Sequence, residues 1–169
     1  MEKAEECLGN ILGYILDVLL AKMIDILSEP RGEADYELLQ LAKQHCTSFS
    51  LVWQDFVRFN ESADNLKRIL QPFLIREEHT NAWPGIELLL HKGQVCHYRL
   101  TDVSVSILAE ASGLYAWLTP GMPEDLAFYA ADDSCWLLSI AHEKDAAIMS
   151  ESISSEHIRA ASPALSLCV

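Results

Sequence analysis

The hydrophobic period of the chain changes once, and that change limits the fold more than any other feature. Through residues 1–72 apolar side chains recur every three or four positions; after Trp83-Pro84-Gly85 they alternate or run in short blocks. The first pattern suits helices and the second strands. Helices first and strands afterwards point to an α+β fold, with N-terminal helices packed on a mainly antiparallel C-terminal sheet built from hairpins. The same order argues against a doubly wound parallel sheet, which needs strands and helices to alternate.

Within the first part, Leu8, Ile11, Leu12, Ile15, Leu19, Met23 and Ile26 fall on one broad face of a helix expected over 3–28. A second helix is expected over 33–45, carrying Tyr36, Leu38, Leu39, Leu41 and Ala42. Thr47 or Ser48 can cap a third, whose face would hold Phe49, Val52, Trp53, Phe56 and Phe59. Ser62 can cap a short helix over Ala63–Leu70, with Pro72 ending it.

In the second part, Ile86–Leu90 and Gln94–Leu100 suit two strands around Lys92-Gly93. The stretch 101–111 suits either strand or helix, and Leu114–Leu118 suits a short strand. The strongest hairpin pattern is Leu126–Ala131 and Cys135–Ala141, with Asp132 and Asp133 at the turn. That register sets Phe128 opposite Leu137 and Tyr129 opposite Trp136. His142–Ser150 is expected to turn helical. The whole of 1–169 is expected to form a single domain, with a helical part (1–72), a sheet part (73–150) and a loosely held tail (151–169), small and polar in composition.

Twelve Lys and Arg against 25 Asp and Glu give a formal charge of −13 over 169 residues. Asp102–Glu156 alone holds ten acids and one base, Lys144. Such a chain is repelled by nucleic acid and by anionic membrane surfaces, so neither is an expected partner. Cys7, Cys46, Cys96, Cys135 and Cys168 are scattered, with no Cys-x-x-Cys pair. Free thiols in a cytoplasmic protein are the expectation. The acidic start, Met1 to Glu6, lacks the basic character of a secretory signal. In Leu8–Leu27, Asp17, Lys22 and Asp25 interrupt an apolar run too short between charges to span a bilayer.

Motifs for chemistry are few. No Gly-x-Gly-x-x-Gly, phosphate loop or Gly-x-Ser-x-Gly elbow occurs, and Ala146 stands where a His-Glu-x-x-His motif starting at His142 needs its second histidine. His91 and His97 would project from opposite faces of their expected hairpin, which works against a metal clip. No catalytic residue, metal ligand or cofactor is therefore assigned. One constellation remains as a candidate binding site. The hairpin register brings Glu124, Asp125, His142 and Glu143 to its open end, where an acid beside an imidazole raises its pKa and can orient it, the way general acid–base pairs and metal sites are built.

Three functions fit these residues. The first is a small acidic protein-binding module that engages a basic protein. Bacterial immunity proteins that neutralise basic nucleases have this size and charge, an analogy of class that no motif carries. The second is a small hydrolase using His142 with the neighbouring carboxylates. The third is a self-associating structural protein, a homodimer joined through the N-terminal helix.

Overall fold

The computed structural model describes residues 23–149 and 153–167. The architecture is α+β: among the described residues, a seven-stranded antiparallel sheet with four helices. In chain order the elements are β1 (Met23–Asp25), α1 (Glu33–His45), β2 (Ser48–Gln54), α2 (Glu61–Leu70), β3 (Leu74–Thr80), β4 (Ala82–Trp83), β5 (Ile86–Glu87) and β6 (Gly93–Arg99). They continue with α3 (Asp102–Leu108), β7 (Glu124–Tyr129), β8 (Cys135–Ile140), β9 (Asp145–Met149) and α4 (Ser155–Ala161). The main sheet runs β1-β9-β8-β7-β2-β6-β3, and β4 with β5 forms a small separate ribbon.

Several helical expectations give way to strands. The stripe from Phe49 belongs to β2, which sits between β6 and β7. Six of its seven residues are buried, because both faces of this central strand are covered. A strand buried on both sides loses its polar alternation and reads as a continuous apolar run, so helix and strand become indistinguishable by period. Phe49, Leu51 and Trp53 enter the main core, while Val52 points the other way, to Trp83 and Val95. Phe59 still meets Trp53 edge-on at 5.1 Å, from a loop and not from a shared helix.

The expected helix over 3–28 ends differently too. Met23–Asp25 pairs with β9, and Ile26 bridges to Leu167. The rest of that expectation, including the interface for a homodimer, lies outside the described residues.

Helix α1 forms where expected and buries Leu38, Leu39, Leu41 and Ala42. Helix α2 is capped by Asn60, whose side chain accepts from the Ala63 N–H at 3.2 Å, in place of Ser62. The stretch 101–111 resolves as α3, started by a capping box between Thr101 and Ser104.

The sheet half also differs in detail. β5 pairs with β4, and β6 pairs with β2 and β3, so Ile86–Leu90 and Gln94–Leu100 do not form a hairpin. Strand β3 escaped the sequence patterns because Arg76-Glu77-Glu78-His79 carries no apolar alternation; charged residues suit an edge strand, which must discourage further pairing. Leu114–Ala116 is a 3-10 turn and not a strand.

The β7–β8 hairpin forms with Phe128 opposite Leu137, as its pattern requires. A bulge then sets Tyr129 opposite Cys135 and not Trp136. The helix expected over His142–Ser150 is replaced by a tight turn, with Lys144 at φ 57°, and by β9 on β8. In the tail expected to be loosely held, Ile153, Ile158, Leu165 and Leu167 are buried.

The two faces of the sheet are covered differently. The larger core joins Phe49, Trp53, Tyr98 and Phe128 to Leu38 of α1 and Leu108 of α3. Across the other face runs the 81–92 segment, with Trp83 packed on Val52 and Val95. It passes so close at Gly85 (φ 83°) that a Cβ there would lie 2.9 Å from the Ile140 side chain. Among the described residues, no helix is long and apolar enough to cross a membrane.

Candidate functional site

The open end of the β7–β8 hairpin is built by a break in strand geometry. On a regular strand, Glu124 and Asp125 would point to opposite faces. Here the register with β2 slips between Ser50 and Val52, and Asp125 adopts φ 55°. Asp is one of the few side chains that tolerate that left-handed conformation. Ligating atoms from Glu124, Asp125 and His142 then all lie within 4.8 Å of one another. Among the described residues, no other group of three His, Cys, Asp or Glu side chains converges in this way.

Both carboxylates are buried, Glu124 at 7% exposure and Asp125 at 2%. Asp125 accepts hydrogen bonds from the Trp83 indole N–H (2.8 Å) and the Ala141 backbone N–H (3.1 Å). Burial pushes its carboxyl above the usual range, and those two bonds pull the other way. Glu124 accepts from the Thr119 hydroxyl (2.9 Å) and from the Gln54 amide. His142 sits in the turn after β8 with its side chain half exposed, its Nε2 3.7 Å from Glu143 Oε1. The structure thus brings together three of the four residues expected here, while Glu143 lies on the solvent side of His142 and outside the converging group.

His91 and His97 lie apart. His97 is buried against the Tyr129 ring at 5.1 Å, whereas His91 lies by Phe56 at 4.6 Å. Burial raises the thiols of Cys46 to about 12 and of Cys96 and Cys135 to about 11, so none of these is a thiolate nucleophile at neutral pH.

A second surface lies away from the hairpin. Leu89 and Leu90 are 96% and 90% exposed, on the loop leading into β6. Phe56, also exposed, lies beside that loop through its contact with His91. Next to Phe56, Asp55 lines a groove of about 390 Å³ together with Glu77, Glu78, His79 and Gln94, and the His79 imidazole meets the Asp55 carboxylate at 2.5 Å. The only sequence signal was the run Leu88-Leu89-Leu90, since three successive leucines cannot all face one side of a strand.

Compared with known proteins, the chain matches no family model, no curated protein and no solved structure.

Proposed function

We propose that the chain is a protein-binding module that docks a basic protein partner through the exposed Leu89–Leu90 tip and the acid-lined groove beside it. The observation that carries this reading is the near-complete exposure of two adjacent leucines next to an exposed phenylalanine. Exposed apolar clusters rimmed by polar groups mark interaction sites, and aromatic and aliphatic anchors supply most of the binding energy there. Asp55, Glu77 and Glu78 give the rim its acidic character, and the formal charge of −13 would steer a positively charged protein toward it. The open-end group does not serve this purpose. Glu124 and Asp125 are buried and already accept from four donors, so they are poorly placed to pair with a partner's lysines.

The test is capture from the producing cells with the wild-type chain and with a Leu89→Ser/Leu90→Ser variant, followed by rebinding of the retained protein in purified form. The expected partner is basic, is lost with the variant, and has an on-rate that drops about tenfold or more from low to physiological salt. An acidic partner, or an on-rate indifferent to salt, would sink the proposal.

A further inference from the structure

Two adjacent carboxylates taken out of water repel each other and lose hydration, so they need either a shared proton or a positive charge. Glu124 and Asp125 are in that position. The four groups that hydrogen-bond them, from Trp83, Ala141, Thr119 and Gln54, are all uncharged. Among the described residues, no Lys or Arg pairs with either carboxylate. What does reach them is the imidazole of His142, within 4.8 Å of both, carried on a turn whose outer side meets solvent.

We propose that Glu124, Asp125 and His142 form a binding site for one divalent cation of the zinc class. Two carboxylate oxygens and one imidazole nitrogen are three of the four donors such an ion takes, and the exposed side of His142 leaves the fourth position to water or to an incoming group. A tetrahedral set at ordinary zinc–ligand distances places neighbouring donor atoms about 3.4 Å apart. The donor atoms, all within 4.8 Å of one another, are therefore at most an ångström or so wider than such a set, and of the three side chains His142 is the half-exposed one with room to adjust.

Neutral donors outside the cluster already fix both carboxylates, as outer-shell partners do in metal sites, where they orient ligands without cancelling their charge. Trp83 ties the site to the small β4–β5 ribbon, and Ala141 ties it to the end of β8. Acid clusters on a surface offer none of this, because water and mobile side chains satisfy them. The site departs from the expectation of no metal ligand, under which Glu124 and Asp125 were a polar strand entry and Glu143 the first turn of a helix; the slipped register and the left-handed Asp125 instead turn both carboxylates toward His142.

The full chain, stripped with chelator, would be titrated calorimetrically with Zn2+, with Mg2+ titrated alongside, and with Co2+ followed by its visible absorption. The expected result is one Zn2+ per chain, a Co2+ spectrum of four-coordinate type, and Mg2+ binding at least a hundredfold weaker. Glu124→Gln and Asp125→Asn should each weaken Zn2+ at least tenfold. Because those two are buried, His142→Ala is the deciding variant: its side chain is half exposed, so the fold, checked by circular dichroism, should persist while Zn2+ affinity falls at least tenfold. No saturable Zn2+ binding, an unchanged affinity in His142→Ala, or a preference for Mg2+ would each overturn the proposal.

Discussion

One hairpin carries two acidic pairs, and they behave in opposite ways. At the closed end, Asp132 and Asp133 turn the chain in solvent. Asp132 accepts from the Ser134 N–H (3.1 Å) and hydroxyl (2.6 Å), and those bonds hold its carboxyl below the usual range. At the open end, Asp125 also accepts two hydrogen bonds, yet its carboxyl is pushed upward because burial outweighs them. Both pairs use a left-handed aspartate, Asp133 at φ 63° and Asp125 at φ 55°. The local chemistry is therefore similar, and the difference comes from what covers each end. The turn is bare, whereas the open end lies under Trp83 and beside Thr119.

The contrast breaks most directly at Asp125. Asp125→Ala would orphan the Trp83 indole N–H and the Ala141 N–H in the interior. It would also place a less tolerant residue at positive φ. Relief of a buried charge offsets part of this, leaving an expected loss of about 2–4 kcal/mol in urea unfolding of the chelator-treated chain. A loss below about 1 kcal/mol would mean the open end is not the structural opposite of the turn.

Asp35 sharpens the comparison from outside the hairpin, since it is a buried acid whose side chain, among the described residues, has no hydrogen-bond donors like those of Asp125. It is 8% exposed, and burial, with Glu29 nearby, raises its carboxyl to about 6. The folded state then holds a proton that the unfolded state releases near pH 4. Stability attached to this group is therefore highest below about pH 4 and declines as pH rises to about 6. Asp35→Asn should remove that slope and stabilise the protein at pH 7 by at most about 3 kcal/mol. Urea midpoints of both forms across pH 4 to 7 give the answer; parallel curves would show that burial does not govern this carboxylate.

Trp83→Phe should cost about 1–2 kcal/mol, through the lost donor and the smaller ring. Its readout is the titration of the Asp125 carboxyl by NMR, which should move further upward when the indole bond is gone. The smallest effect belongs to Asp132→Ala, which should leave the urea midpoint unchanged. A clear drop there would place the turn among the structural determinants of the fold.

The hairpin itself was legible because its cues are local: two short apolar runs, two acidic turn residues between them, and a register that counts back to the open end. That count brings residues 124, 125 and 142 to one end of the hairpin, but turning Glu124 and Asp125 to the same side takes the slipped register and the left-handed Asp125, which no local pattern shows, and Glu143 does not join. Strand β2 looks helical in the sequence because its burial on both faces erases the alternation that marks a half-covered strand. Strand β3 leaves no pattern for the opposite reason, since an exposed edge tolerates the run Arg76-Glu77-Glu78-His79. β9 looks helical in the sequence because Ala146, Ala147 and Ile148 make a short apolar run that either structure accepts.

By itself, then, the sequence determined the α+β class, helix α1, the β7–β8 hairpin and the acidic surface, all of which depend on neighbours in the chain or on composition. Tertiary structure decided which carboxylates are hidden and which are bare, that Trp83 reaches across 42 positions to hold Asp125, and that Leu89 and Leu90 stand in solvent. Burial depends on what segments far apart in the chain pack above a residue, and no local pattern carries that information.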